Sequence, residues 1–146
     1  MSLDINFTYK INSHGDLDNN YVDVSDIWHD GSVNCHLNIT HNLGEMASHV
    51  KSKLLPSLTL YDVLWRPYRI YKIEEDTDEV YSFMPIAKDL KEFLKILTDE
   101  LVNNQEKYEK YNPDNGWGHY EGLVRFCQKY LRCIERYPNA HIKVSR

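Results

Sequence analysis

Ten residues near the start of the chain set the first constraint. Leu3, Ile5, Phe7, Tyr9 and Ile11 alternate with Asp4, Asn6, Thr8, Lys10 and Asn12. Successive strand side chains point to opposite faces, so this alternation predicts a strand with one face in a core and the other in water. The same period returns in residues 33–40, where Val33, Cys35, Leu37 and Ile39 oppose Asn34, His36, Asn38 and Thr40. It returns again near the end, with Ile142 and Val144 set between His141, Lys143 and Ser145. A further strand is predicted at 21–24, after a turn at 12–16, and residues 26–32 read as a loop closed by Asp30 and Gly31.

Helical spacing fills the middle. Leu43, Met46, Ala47, Val50 and Leu54 predict a helix with Thr40 or Asn42 as its N-cap, broken by Pro56 and Ser57. Residues 58–65 predict a second, short helix that stops before Pro67. Pro85 suits the first turn of a third, whose stripe is Ile86, Leu90, Phe93, Leu94, Leu97 and Leu101. Its polar end, residues 103–111, continues as helix or frays. Residues 112–116, Asn-Pro-Asp-Asn-Gly, are a dense turn signal, and a last helix is predicted over 117–137. Residues 68–83 read as a hairpin around an acidic loop or as an irregular insertion. The fold class that follows is α+β: a single domain over 1–146, with about four helices packed on a small, mainly antiparallel sheet built from both chain ends.

Composition narrows the function classes. A chain of 146 residues, 42% apolar and 27% charged, suits one globular domain and lies outside the disordered regime. No apolar run approaches the roughly 18 residues of a membrane span. Met1-Ser-Leu-Asp-Ile lacks the basic and apolar regions of a secretory signal. Cys35, Cys127 and Cys133 are too few and scattered for a disulfide framework or a paired-cysteine zinc site. A reduced, cytoplasmic protein is therefore expected, and a net charge of -5 excludes a generally basic nucleic-acid coat.

Four features carry possible chemistry. In residues 38–46 a predicted strand runs into a helix, bringing Asn38, Thr40, His41 and Asn42 to the helix mouth. Amides, a hydroxyl and an imidazole beside free helix N–H groups suit a polar or anionic ligand, and equally suit plain capping. In residues 112–121, Gly116 and Gly118 flank Trp117. There Trp117 and Tyr120 would stack on a flat group while Asn115 and Glu121 hydrogen-bond it, unless Trp117 plugs the core. Next come His29, Asp30, Cys35, His36 and His41, whose spacing matches no standard zinc pattern. An ideal strand also sends His36 and His41 to opposite faces, so no metal and no cofactor is expected. Lastly, Arg125, Lys129, Arg132 and Arg136 fall within a ridge of about 60° on the last helix, opposite Leu123, Val124, Cys127, Tyr130, Leu131 and Ile134. Residues 118–146 carry net +4 and residues 1–117 net -9. Such a ridge would dock phosphate or an acidic partner, or simply sit in solvent beside the protein's own acids. Four bases on one helix are too few for a large counterion-release effect, so nucleic acid is not the expected partner. Cys127 and Cys133 read as small residues on or beside the apolar side of that helix.

The two polar motifs together resemble a group of small, uncharacterised proteins of bacteriophages, prophages and bacterial mobile elements. The shared pattern is N-x-T-x-N before a helix, a Leu-Trp-x-Pro step, then N-P-x-N-G-W-G-x-Y-E, a helix and a closing strand ending in V-S. Here these are Asn38, Thr40 and Asn42; Leu64, Trp65 and Pro67; the run from Asn112 to Glu121; and Ile142 to Ser145. The likeness covers residues 33–146 and leaves the first strand and residues 68–83 outside it. It implies a family and a setting, the cytoplasm of a bacterial host, and no mechanism. The leading expectation is a non-catalytic binding domain in which both motifs form one polar pocket for a small polar or nucleotide-like ligand. A different class is a small hydrolase or transferase in the same pocket, with His41 or His119 as general base and Glu121 as general acid. A third is a protein-interaction module using the basic ridge.

Overall fold

The alternating segments pair as their polarity demands. In a computed structural model that describes residues 2–9, 27–28, 32–74, 77–81 and 83–146, β1 (Ser2–Thr8) is the central strand of three. β2 (Ser32–Thr40) and β5 (His141–Ser145) flank it, both antiparallel. The register sets Leu3 opposite Ile39, Ile5 opposite Leu37 and Val144, and Phe7 opposite Ile142, so the apolar side chains share one face. Leu3, Ile5 and Phe7 are completely buried, and each such side chain stabilises the fold by about 1.5–3 kcal/mol. The strand predicted at 21–24 and the turn at 12–16 lie outside the described residues. Ile27, beside them, forms a bridge to Val33.

Two helices of seventeen residues, α4 (Ala87–Asn103) and α6 (Tyr120–Arg136), build most of the remaining core. α6 packs against β2 and α4, and its Tyr130 meets Phe7 edge-on at 5.8 Å. Leu90, Leu94, Leu97 and Leu101 form the buried stripe of α4. Pro85 and Ile86 stand before this helix instead of within it. Ile86 bridges to His141, and Pro85 accepts a bond from Ile142, so the entrance of α4 is held by the start of β5. A break at Asn104 separates α4 from α5 (Gln105–Glu109). α6 begins at Tyr120, three residues later than the spacing predicts.

Other expectations need larger correction. The helix predicted to reach Leu54 ends early: a 3-10 turn (His41–Leu43) leads into α1 (Gly44–His49), which stops there. The chain then forms a two-stranded ribbon of β3 (Lys51–Ser52) and β4 (Leu55–Thr59), antiparallel. Leu54 sits at its tip, 75% exposed, so its helical spacing from Val50 is accidental. α2 (Leu60–Trp65) starts at a capping box in which Thr59 and Asp62 satisfy each other's backbone N–H groups, and Asp62 also accepts from Arg69 at 2.9 Å. Residues 68–83 are irregular: among the described residues they form a 3-10 helix (Pro67–Tyr71) and the short α3 (Asp78–Tyr81).

The expectation of three reduced thiols is also corrected. Cys35 on the buried face of β2 and Cys133 on the inner side of α6 are joined in a disulfide, with Cα atoms 6.0 Å apart and a sequence separation of 98. Cys133 is thus a covalent tie, while Cys127 alone is a free, buried thiol whose pKa burial pushes up to about 12. No helix among the described residues is long and apolar enough to cross a membrane.

Candidate functional site

Gly118 brings the two polar motifs together. Its backbone has φ +103°, a conformation that suits glycine, and a Cβ there would lie 2.9 Å from Thr40 Cγ2 and 3.0 Å from Leu43 Cγ. The glycine turn therefore seats directly on the junction between β2 and the turn before α1. A second tie lies close by, where His49 at the end of α1 stacks flat on Tyr111 at 4.1 Å.

Most of the side chains in these motifs are committed internally. Asn38 donates to Asp4 Oδ1 at 2.8 Å, on the polar face of the sheet, where His36 Nε2 meets the same oxygen at 3.0 Å. Those two bonds, Asn38 first, hold the Asp4 carboxyl below its ordinary pKa against a smaller opposing effect of burial. Thr40 Oγ1 accepts from the backbone of Asn42 and caps the 3-10 turn. Asn112 Oδ1 accepts from Tyr120 N at 2.8 Å, taking one of the free N–H groups of α6. Asn115 Oδ1 accepts from Trp117 N at 2.9 Å, an Asx-type turn.

Tyr120 does not fit the stacking role expected of it. The residue is 4% exposed, and its hydroxyl donates to the carbonyl of Leu101, which ties α6 to α4. Its apolar ring follows the inner stripe of α6, so it belongs to the core. Trp117 does the opposite and stands 69% exposed on the turn that Asn115 and Gly118 fix. Asn42, Asn115, His119 and Glu121 of the same two motifs also reach solvent. His41 is part-buried, edge-on to Trp65 at 6.1 Å, and its Nε2 is buried with no hydrogen-bond partner. A shelf thus results on the joined motifs, carrying an indole face and exposed amide, imidazole and carboxylate groups. His119 and Glu121 are the acid–base groups that water reaches here, whereas the inward nitrogen of His41 is sealed off.

The remaining candidates lie elsewhere. Arg125, Lys129, Arg132 and Arg136 are all exposed along α6, with Arg136 laid over the Tyr137 ring at 5.3 Å. His29 and Asp30 are outside the described residues. Among the described residues no three His, Cys, Asp or Glu side chains gather as a metal-binding group. Two features had no sequence signal. Asp4 looked like one polar strand residue among several until pairing set it opposite Asn38. The other is a cleft of about 570 Å³ where α4 meets β5, lined by Tyr71, Phe83, Met84, Asp89 and His141 among others.

Comparison with family models, with curated proteins and with solved structures finds no match to this chain.

Proposed function

We propose that this chain is a non-catalytic binding domain that takes a small, flat, polar or nucleotide-like ligand on the shelf around Trp117. The observation that carries the reading is a tryptophan 69% exposed on a turn that is anything but loose. Asn115, Asn112 and the close seat of Gly118 on Thr40 and Leu43 hold that turn. A tryptophan held out in solvent by a fixed backbone turn is presented for stacking without rearrangement of the chain. Asn42 and Glu121, both exposed on the same two motifs, would hydrogen-bond the edge of such a ligand. The resemblance to phage and prophage proteins supplies the setting, a bacterial host. The cytoplasm of that host requires the buried Cys35–Cys133 bond to persist among reduced thiols, which is uncommon. Alkylation at lysis would then trap one free thiol per chain, and three would show the bond absent there.

The test is thermal stability of the purified chain against nucleotides, cyclic nucleotides, nicotinamide dinucleotides and sugars. A ligand bound only by the folded state at a hundredfold excess over its Kd adds about 2.7 kcal/mol. The expected result is a specific rise in midpoint that Trp117→Ala removes. No rise across the panel, or a rise that Trp117→Ala leaves intact, contradicts the reading. A second reading rests on the exposure of all four bases along α6. On it, α6 docks an acidic protein partner, binding weakens as salt rises, and Arg125→Glu with Arg132→Glu abolishes it without loss of folding.

A further inference from the structure

The cleft between the entrance of α4 and the start of β5 is distinct from the Trp117 shelf. It holds about 570 Å³, within the roughly 300–1,000 Å³ of small-molecule sites. Its two exposed aromatic rings, Tyr71 and Phe83, meet edge-on at 5.5 Å and 78°. Among the described residues its charged lining consists of two carboxylates, Asp89 and Glu79, without a lysine or arginine.

The hydrogen bonds of the cleft fix which polar atoms remain to be used. Tyr71 Oη donates its one proton to Asp89 Oδ2 at 2.7 Å and accepts from Ile86 N at 3.4 Å, so it has no donor left. Asp89 Oδ1 keeps its lone pairs, and a carboxylate has no proton to give. His141 Nδ1 faces the carbonyl oxygen of Met84 at 3.1 Å. A carbonyl only accepts, so Nδ1 carries the proton and Nε2 of the neutral ring is an acceptor. The cleft therefore combines two aromatic rings with acceptors and negative charge, and these side chains offer no spare donor. The group that complements such a set is an ammonium, with three donors, no acceptor and a positive charge that aromatic faces attract. Burial of the Tyr71 hydroxyl and its bond to Asp89 raise its pKa to about 12, which keeps the proton in place at neutral pH.

We propose that this cleft binds a small primary ammonium compound with an aromatic or alkyl body, the ammonium on Asp89 and the body against Tyr71 and Phe83. The test is titration of the full chain near neutral pH with 2-phenylethylammonium, beside 2-phenylethanol and 3-phenylpropionate as neutral and anionic counterparts. Saturable binding of the ammonium is expected, at least about tenfold tighter than the alcohol, with the carboxylate not bound. Asp89→Asn should weaken it about tenfold or more, Phe83→Ala should weaken it severalfold, and Trp117→Ala should leave it unchanged. Phe83 is 47% exposed, so its removal reads binding without unfolding the chain should Asp89→Asn fold poorly. Absence of saturable binding, equal affinity for the alcohol, or full affinity in both cleft variants overturns the proposal.

Discussion

Trp65 and Trp117 are the same residue type put to opposite ends. Trp65 closes α2 at 2% exposure, with Tyr61 stacked on it at 4.8 Å and the His41 ring at its edge. Trp117 lies on a turn between two glycines of positive φ and keeps most of its surface in water. The difference comes from the backbone beneath each. Trp65 is carried on a helix whose periodicity turns it inward beside Val63 and Leu64. Trp117 has its direction set by the Asx turn at Asn115 and by Gly118, which presses the chain onto Thr40 and leaves the indole facing outward. One ring stabilises the fold, and the other is held out in solvent.

The sharpest way to break this contrast is to truncate both rings. Trp65→Ala is expected to cost about 3–5 kcal/mol in urea unfolding, from lost burial and the cavity left behind. Trp117→Ala is expected to stay within about 0.5 kcal/mol of the parent chain. Equal losses would mean that Trp117 is structural. The disulfide comes next: replacing Cys35 and Cys133 together with Ala should cost about 2–4 kcal/mol by the same measurement, because the unfolded chain regains the entropy that the cross-link withheld. The Trp117 turn, anchored by hydrogen bonds and glycine packing, should keep its exposure in that variant, read by the emission maximum.

The glycines separate the two halves of the turn on a finer scale. Gly118→Ala meets both a positive φ and Thr40, and should cost about 1–3 kcal/mol in thermal unfolding. Gly116→Ala has φ +76° but open space around it, so it should cost less, about 1 kcal/mol. A reversal of that order would remove the seat of Gly118 on β2 as the reason the motifs meet. The smallest effect is expected on the sheet. Because Asp4 has a folded pKa below its unfolded one, its contribution is fully present above the unfolded value near pH 4 and is lost as pH falls through the folded value. Asn38→Ala should therefore flatten the fall of the thermal midpoint between pH 5 and pH 2.5.

Much of the fold was legible because its signals are periodic. The alternation in β1, β2 and β5 specified both faces of the sheet, and the stripes of α4 and α6 specified their buried sides. The ribbon of β3 and β4 was misread because Leu54 happens to fall four residues from Val50. There the decisive bond, from Leu60 N to the carbonyl of Val50, spans ten residues that share no period. The Cys35–Cys133 tie joins residues 98 apart, and only the packing of α6 on β2 brings them into range. At the candidate site, residue types marked two polar motifs, which Gly118 packs together, without telling capping from binding. Asn38, Thr40, Asn112 and Asn115 cap and pair, Tyr120 is core, and Trp117 faces water. That division depends on which way each backbone turns. Tyr71, Phe83, Asp89 and His141 carried no signal at all, since three separate segments supply them.

The most direct measurement is the pair of indole N–H resonances of Trp65 and Trp117 in the nitrogen-labelled chain, assigned by single substitution. They would be followed as the best ligand from the thermal panel is added. The expected result is a saturable shift of the Trp117 signal with the Trp65 signal unmoved. A Trp117 signal that stays still at saturation, or one that moves only together with Trp65, would contradict a binding role for the exposed ring.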